Sequence, residues 1–174
     1  DSVWTEAVTV PHWSRGREWA RCTAPYAFDL AISGLGLSVG TGAEHPDGLE
    51  AEVVAVRGFA ELDSLGTDRV AGKIVVFHPP WRGYGRTVRY RVDGASRAAT
   101  LGAVACLVRS ATGVSLGTPH TGVMSYDEAQ PRIPAAALAV EDAARLYRLY
   151  RRGLRPRVRL YMEAANHGET TCYN

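Results

Sequence analysis

The run Lys73-Ile74-Val75-Val76-Phe77 is apolar at four consecutive positions after the lysine and rich in β-branched residues. Such a run suits a strand covered on both faces, because a half-exposed strand would alternate. His78-Pro79-Pro80 close it. After a turn-rich loop, Val88, Val92, Ala95 and Ala99 recur at spacings of four, three and four, which predicts one buried helix face, with the helix ending at Gly102. A second apolar run, Ala103-Val104-Ala105-Cys106-Leu107-Val108, follows with almost no linker. Strand, helix and strand therefore read as one crossover unit with parallel strands, and the predicted fold class is mixed α/β.

The flanks add shorter elements. Val3 to Val10 alternates and reads as a strand ending before Pro11, and Phe28–Ile32 and Leu49–Val56 read as further strands. Trp13 and Trp19 are assigned to packing rather than to a binding face. Phe59 to Gly66 reads as one short helix closed by glycine. The glycine-rich stretch Gly34-Leu35-Gly36-Leu37-Ser38-Val39-Gly40 has Val39 where a dinucleotide loop needs glycine, and Gly42, Pro46 and Gly48 follow where a helix should, so that reading fails. Val140 to Arg152 predicts a helix with Glu141 and Asp142 in its first turn, Arg151 and Arg152 in its last and Gly153 beyond. The last strand alternates Val158, Leu160 and Met162 with Arg157, Arg159, Tyr161 and Glu163. The expected architecture is a mixed sheet on Lys73–Phe77, Ala103–Val108 and Pro134–Val140, with helices over one face and antiparallel strands from both ends as a sandwich-like second layer.

At 174 residues, with 46% hydrophobic and 22% charged residues, the chain is the size and composition of one domain spanning 1–174. No apolar run approaches the ~18 residues of a membrane helix. A net charge of +2 gives no case for a nucleic-acid partner, although the basic residues are 19 Arg against the single Lys73. The seven arginines from Arg145 to Arg159 fall at helical and strand periodicity and read as solvated faces. Asp1-Ser2-Val3-Trp4-Thr5 has neither the basic start nor the apolar centre of a signal peptide, and Thr171-Cys172-Tyr173-Asn174 has no cap, so a piece of a longer protein is expected. Cys22, Cys106 and Cys172 match no metal spacing.

Gly72-Lys73-Ile74-Val75-Val76, the helix ending Leu101-Gly102-Ala103 and the strand after it resemble the core of the protease-associated domain, a module of secreted and vacuolar peptidases. Pro119-His120-Thr121-Gly122, Arg132-Ile133-Pro134-Ala135-Ala136 and Val140-Glu141-Asp142-Ala143 are similar to that domain in carboxypeptidase Q-like zinc peptidases. So are Pro11-His12-Trp13-Ser14-Arg15-Gly16 and Gly36-Leu37-Ser38-Val39-Gly40-Thr41, which extends the resemblance over nearly the whole chain. It implies a non-catalytic domain, secreted or lysosomal, whose partner is the zinc-bearing catalytic domain of the same chain, with a peptide substrate or a second protomer as further partners. An inserted domain brings its ends together, which leaves a Cys22–Cys172 disulfide open.

The residues themselves carry no catalytic set. Five histidines, His12, His45, His78, His120 and His167, form no His-Glu-x-x-His pair. His45-Pro46-Asp47 sits in a Gly/Pro-rich turn, and the Asp-Asp and Glu-Glu dipeptides that complete a two-zinc site in the resembled family are absent. No cofactor or metal site is expected within 1–174, with zinc placed in the parent protein. Ser110, Ser115 and Ser125 lack a Gly-x-Ser-x-Gly elbow. The long loop from Ser110 to Pro131 is the remaining candidate, because loops of that length inside compact domains are often functional. Two readings stand level: a surface excursion tied by its own turns, or a face on which His120, Thr121 and Tyr126 meet the catalytic domain or its substrate cleft. An autonomous peptide-binding receptor-type domain, and a peptidase in its own right, are the alternatives to the accessory-domain reading.

Overall fold

The strand built from Ile74–Phe77 has no exposed residue, and its side chains divide between two cores. Ile74 and Val76 join one cluster, while Val75 and Phe77 join the other. A computed structural model describes residues 3–173. Ten strands and three helices follow in chain order: β1 (Ala7–Ser14), β2 (Glu18–Ala24), β3 (Phe28–Leu30), β4 (Ile32–Gly34), β5 (Leu49–Val56), α1 (Phe59–Val70), β6 (Ile74–Phe77), α2 (Tyr84–Ala99), β7 (Ala105–Arg109), β8 (Ala135–Leu138), α3 (Val140–Arg151), β9 (Arg157–Met162) and β10 (Ala165–Tyr173). Eight strands form one mixed sheet in the order β3-β2-β9-β5-β6-β7-β8-β4, and β1 pairs with β10 in a separate ribbon. The α/β class and the parallel crossover unit are as expected: β5, β6, β7 and β8 run parallel, with Val54, Val75, Cys106 and Ala135 in successive register.

The layering differs from the sequence expectation. Helices cover both faces of the parallel part: α3 packs through Ala143, Leu146 and Leu149 on the side of Val76 and Leu107, and α1 and α2 pack on the side of Val75 and Cys106. Apart from the β1–β10 ribbon, the antiparallel strands form no separate sheet. Leu49–Glu52 of β5 pair with β9 and Val53–Val56 pair with β6, so one strand belongs to both halves. The sheet then curls, because its two edge strands β3 and β4 are consecutive in the chain and joined by Ala31 alone. Ala31 donates to Asp142 Oδ2 at 2.8 Å and accepts from the Ala139 amide at 3.0 Å. The Glu18 carboxylate of β2 accepts from the Gly34 amide of β4 at 2.9 Å, across the same closure. The second layer is thus reached by curvature.

Five local readings are also refined. The first strand starts at Ala7 and continues through Pro11 to Ser14, because β10 pairs along it and Pro11 lies beside a register shift. On α2, Ala95 and Ala99 are buried as expected, but Val88 and Val92 are only half-buried, and Thr87, Gly94, Ser96 and Ala98 complete the buried side. Small residues win because the helix lies close on the sheet: a Cβ at Gly94 would meet the Phe77 ring at 3.1 Å. Gly66 does break α1, with φ 65°, but a further turn carries the helix to Val70. Cys22 is buried and Cys172 is exposed on the ribbon, and both are free thiols, so they do not pair. The arginine faces are not simply solvated. Arg157 and Arg159 both hold Glu50, Arg155 holds Glu52, and Arg145 lies 3.4 Å over the Phe28 ring.

Val75 is fully buried, whereas Arg148 is on the exposed face of α3. Val75→Ala removes two methyl groups from a close-packed site and is expected to cost about 1.5–3 kcal/mol in urea melts. Arg148→Ala is expected to stay within about 0.5 kcal/mol, and the reverse ranking would contradict the described packing of α3.

Candidate functional site: the long loop between β7 and β8

The segment from Ser110 to Pro134 contains no helix or named strand, yet side chains tie it at many points. At its start, the Ser110 hydroxyl donates to Leu138 O at 2.6 Å and accepts from the His120 amide at 2.8 Å, which closes a ten-residue excursion. At its far end, Gly36 donates to Gly122 O at 2.9 Å and Met124 donates to Gly36 O at 3.1 Å, so the loop borrows a short parallel bridge from the glycine-rich stretch. Met124 is buried beneath it. Paired in this way, the backbone polar groups of a long loop cost little to bury.

The tightest arrangement joins the loop to α3. The residue before the helix is Ala139, whose side chain cannot cap it. Ser115 supplies the cap from 25 positions away: the Val140 amide donates to its hydroxyl at 2.8 Å, and that hydroxyl donates to Glu141 Oε2 at 2.7 Å. Glu141 in turn accepts from the amides of Leu116 and Gly117 at 3.1 and 3.2 Å. The Ser115 hydrogen bond, then the backbone amides, hold the Glu141 carboxyl at a pKa of about 2, below its ordinary value. Leu116 is kept at a positive φ of 49° and is 89% exposed, beside Val114 at 68%. Glu141 and Asp142 read from sequence as complements to the helix dipole. In the structure each is also a tertiary acceptor, and the signal for this was a helix start with no local cap.

The three residues singled out in this loop have different surroundings. Tyr126 is largely enclosed, donating to Ile133 O and accepting from the Val39 amide at 3.1 Å; burial is the main cause raising its pKa to about 12. Thr121 donates to Gly34 O at 2.7 Å, tying the loop to β4. His120 alone leaves its ring at the surface. These hydroxyls therefore brace the loop, and its exposed side chains include His120 and the apolar Val114, Leu116 and Val123. Under the loop, Arg109 is 5% exposed and donates to Ser110 O at 3.0 Å and Gly113 O at 3.4 Å. Beside it His78 is held neutral, its pKa lowered to about 4 by burial and then by Arg109, Arg57 and Arg148.

A zinc site does not fit these residues. Among the described residues no three His, Cys, Asp or Glu side chains come together as metal ligands. His45 lies in a turn in which its amide donates to Gly42 O, and His12 and His167 meet on the ribbon with ring centroids 4.7 Å apart. No described helix is long and apolar enough to cross a membrane.

The fold is that of a region of M28 peptidases. A peptidase M28 precursor from Shewanella amazonensis superposes on the whole chain with a TM-score of 0.92 and 33% identity, and the chain covers 40% of that structure. An aminopeptidase from Aneurinibacillus sp. strain AM-1 and a zinc aminopeptidase from Bacillus subtilis share the fold, at TM-scores of 0.66 and 0.62 with 12% and 18% identity. In sequence, the chain is homologous over all 174 residues to carboxypeptidase Q, being 48% identical to that of Xenopus laevis and 41% identical to that of Homo sapiens. It spans 36% of the length of each. No family model matches the chain.

Because Glu141 has a lower pKa folded than unfolded, its carboxylate contributes stability that is present above about pH 4.5 and lost as pH falls toward 2. Glu141→Gln is therefore expected to lower the urea midpoint at pH 7 and to differ progressively less from wild type as pH falls through that window. Amide exchange at Leu116 and Gly117 should speed up in the variant. An unchanged pH 7 midpoint with unchanged exchange would contradict the clasp.

Proposed function

We propose that this chain is a protease-associated domain, a non-catalytic accessory part of a secreted or lysosomal zinc-dependent exopeptidase. Its partner is the catalytic domain of the same longer protein, which carries the zinc ions and their ligands. The observation that carries this reading is homology across the entire chain to about a third of carboxypeptidase Q. The ribbon supports it: β1 and β10 pair from Ala7↔Tyr173 to Ser14↔Ala165, so the chain enters and leaves the body at one place, as an inserted domain needs. Residues on both strands are mostly exposed. The loop between β7 and β8, with His120 and the apolar side chains of Val114, Leu116 and Val123, is the surface that meets the catalytic domain or borders its substrate cleft.

The chain shapes access or assembly on this reading and breaks no bond. Residues 1–174, supplied with zinc and tested against dipeptides and amino-acid amides, are expected to give no turnover above buffer, and calorimetry is expected to show no tight zinc binding. Metal-dependent turnover that survives repurification and disappears in His120→Ala would overturn the proposal.

A further inference from the structure

Of the 19 arginines of this chain, eight are paired and eleven have no carboxylate partner among the described residues, four of the eleven sharing one pocket. Arg15, Arg17, Arg21, Arg97, Arg151, Arg155, Arg157 and Arg159 each pair with a carboxylate. Four others, Arg57, Arg82, Arg86 and Arg89, line one open pocket of about 660 Å3 between the β5–α1 turn, the Pro79-Pro80 turn and the first turn of α2. Among the described residues no carboxylate pairs with any of these four side chains, and none of their guanidinium groups makes a hydrogen bond. The carboxylate nearest by bonding is Glu61, which accepts from the Arg57 backbone amide at 2.6 Å rather than from its side chain. Glu61 lies toward Arg151 at 3.8 Å.

Four like charges gathered in a concavity raise its potential and repel one another, an arrangement that a bound anion relieves. Two of them are also held in place. Arg89 lies over the Phe59 ring at 5.0 Å and the Tyr90 ring at 5.9 Å, and Arg57 lies over Tyr147 at 5.3 Å. A guanidinium that lies over a ring makes no hydrogen bond to it and keeps N–H groups for an oxyanion, whose phosphate form matches the guanidinium fork. The pocket also abuts the start of α2, a 16-residue helix with Gly83 at its cap, no side-chain cap and no acidic residue in its first turn. Its unpaired amides add a positive end to the same space. Gly85, in the pocket lining, has no neighbour where a Cβ would stand, so the backbone there is open to approach.

We propose that this pocket binds a compact polyvalent oxyanion of the phosphate class, free or carried on a small organic molecule. A single carboxylate neutralises one charge and engages one or two forks, whereas linked phosphates offer the charge and the oxygen count that four guanidinium groups require. The inference is independent of the peptidase reading.

The test is calorimetry on the 174-residue chain with inorganic pyrophosphate, a small phosphomonoester and triglutamate as probes. Arg82 and Arg86 are exposed and unpartnered, so Arg82→Gln/Arg86→Gln should fold normally, which circular dichroism checks. Pyrophosphate is expected to bind the wild type and to lose at least about tenfold in affinity in that variant, while Arg151→Gln/Arg152→Gln, with the same loss of charge, changes affinity by less than about twofold. Binding of the phosphomonoester as well would extend the ligand to organic phosphates, and its failure with pyrophosphate bound would restrict it to the free anion. An absence of pyrophosphate binding, equal losses in the two variants, or triglutamate binding as tightly as pyrophosphate would overturn the proposal.

Discussion

Burial of β6 on both faces is the constraint to which the rest of the structure answers. A strand with alternate side chains committed to opposite cores cannot slip by one residue without exchanging Val75 and Phe77 for Ile74 and Val76, so its register is fixed by packing. Each core then needs its own cover. α2, with α1 beside it, supplies one and α3 the other, and the parallel neighbours β5 and β7 inherit the same division of side chains. Phe77 extends the order outward by meeting Phe59 edge-on at 5.4 Å and Tyr90 at 5.7 Å, so that α1 and α2 are joined through one ring.

The long loop depends on α3 for its shape, and α3 depends on the loop for its first turn. Ser115 satisfies the Val140 amide, and Glu141 returns the favour to the amides of Leu116 and Gly117. This reciprocity makes the tip a positioned surface.

Much of this was legible in the chain itself. The uninterrupted Ile74–Phe77 run, the glycine at 153 and the alternation of Val158, Leu160 and Met162 state their structural roles locally, because burial on two faces, left-handed backbone and one-sided burial each demand a residue type. The face of α2 was legible only in part: Ala95 and Ala99 are buried as their spacing predicts, but the sheet admits only small side chains at that distance, so Gly94 and Ala98 are buried where Val88 and Val92 are not. Curvature was hidden for a similar reason. It follows from β3 and β4, neighbours in the chain, standing at opposite ends of the strand order, and from β5 pairing with β9 and then β6, long-range pairings with no local signature. Among the loop residues, the bracing bonds of Tyr126 to Ile133 O and of Thr121 to Gly34 O had no local signal in the sequence.

The one-residue link at Ala31 bears on how the chain behaves in concentrated solution. An open eight-stranded sheet ends in two rows of unpaired amides and carbonyls, which are templates for another molecule's strand. Here both edges are only three residues long, they are drawn toward each other by the curl, and the polar groups of the residue between them are taken by Asp142 and Ala139. Edge-to-edge pairing through the eight-stranded sheet is therefore disfavoured by geometry without a proline or a bulge on either of its edge strands.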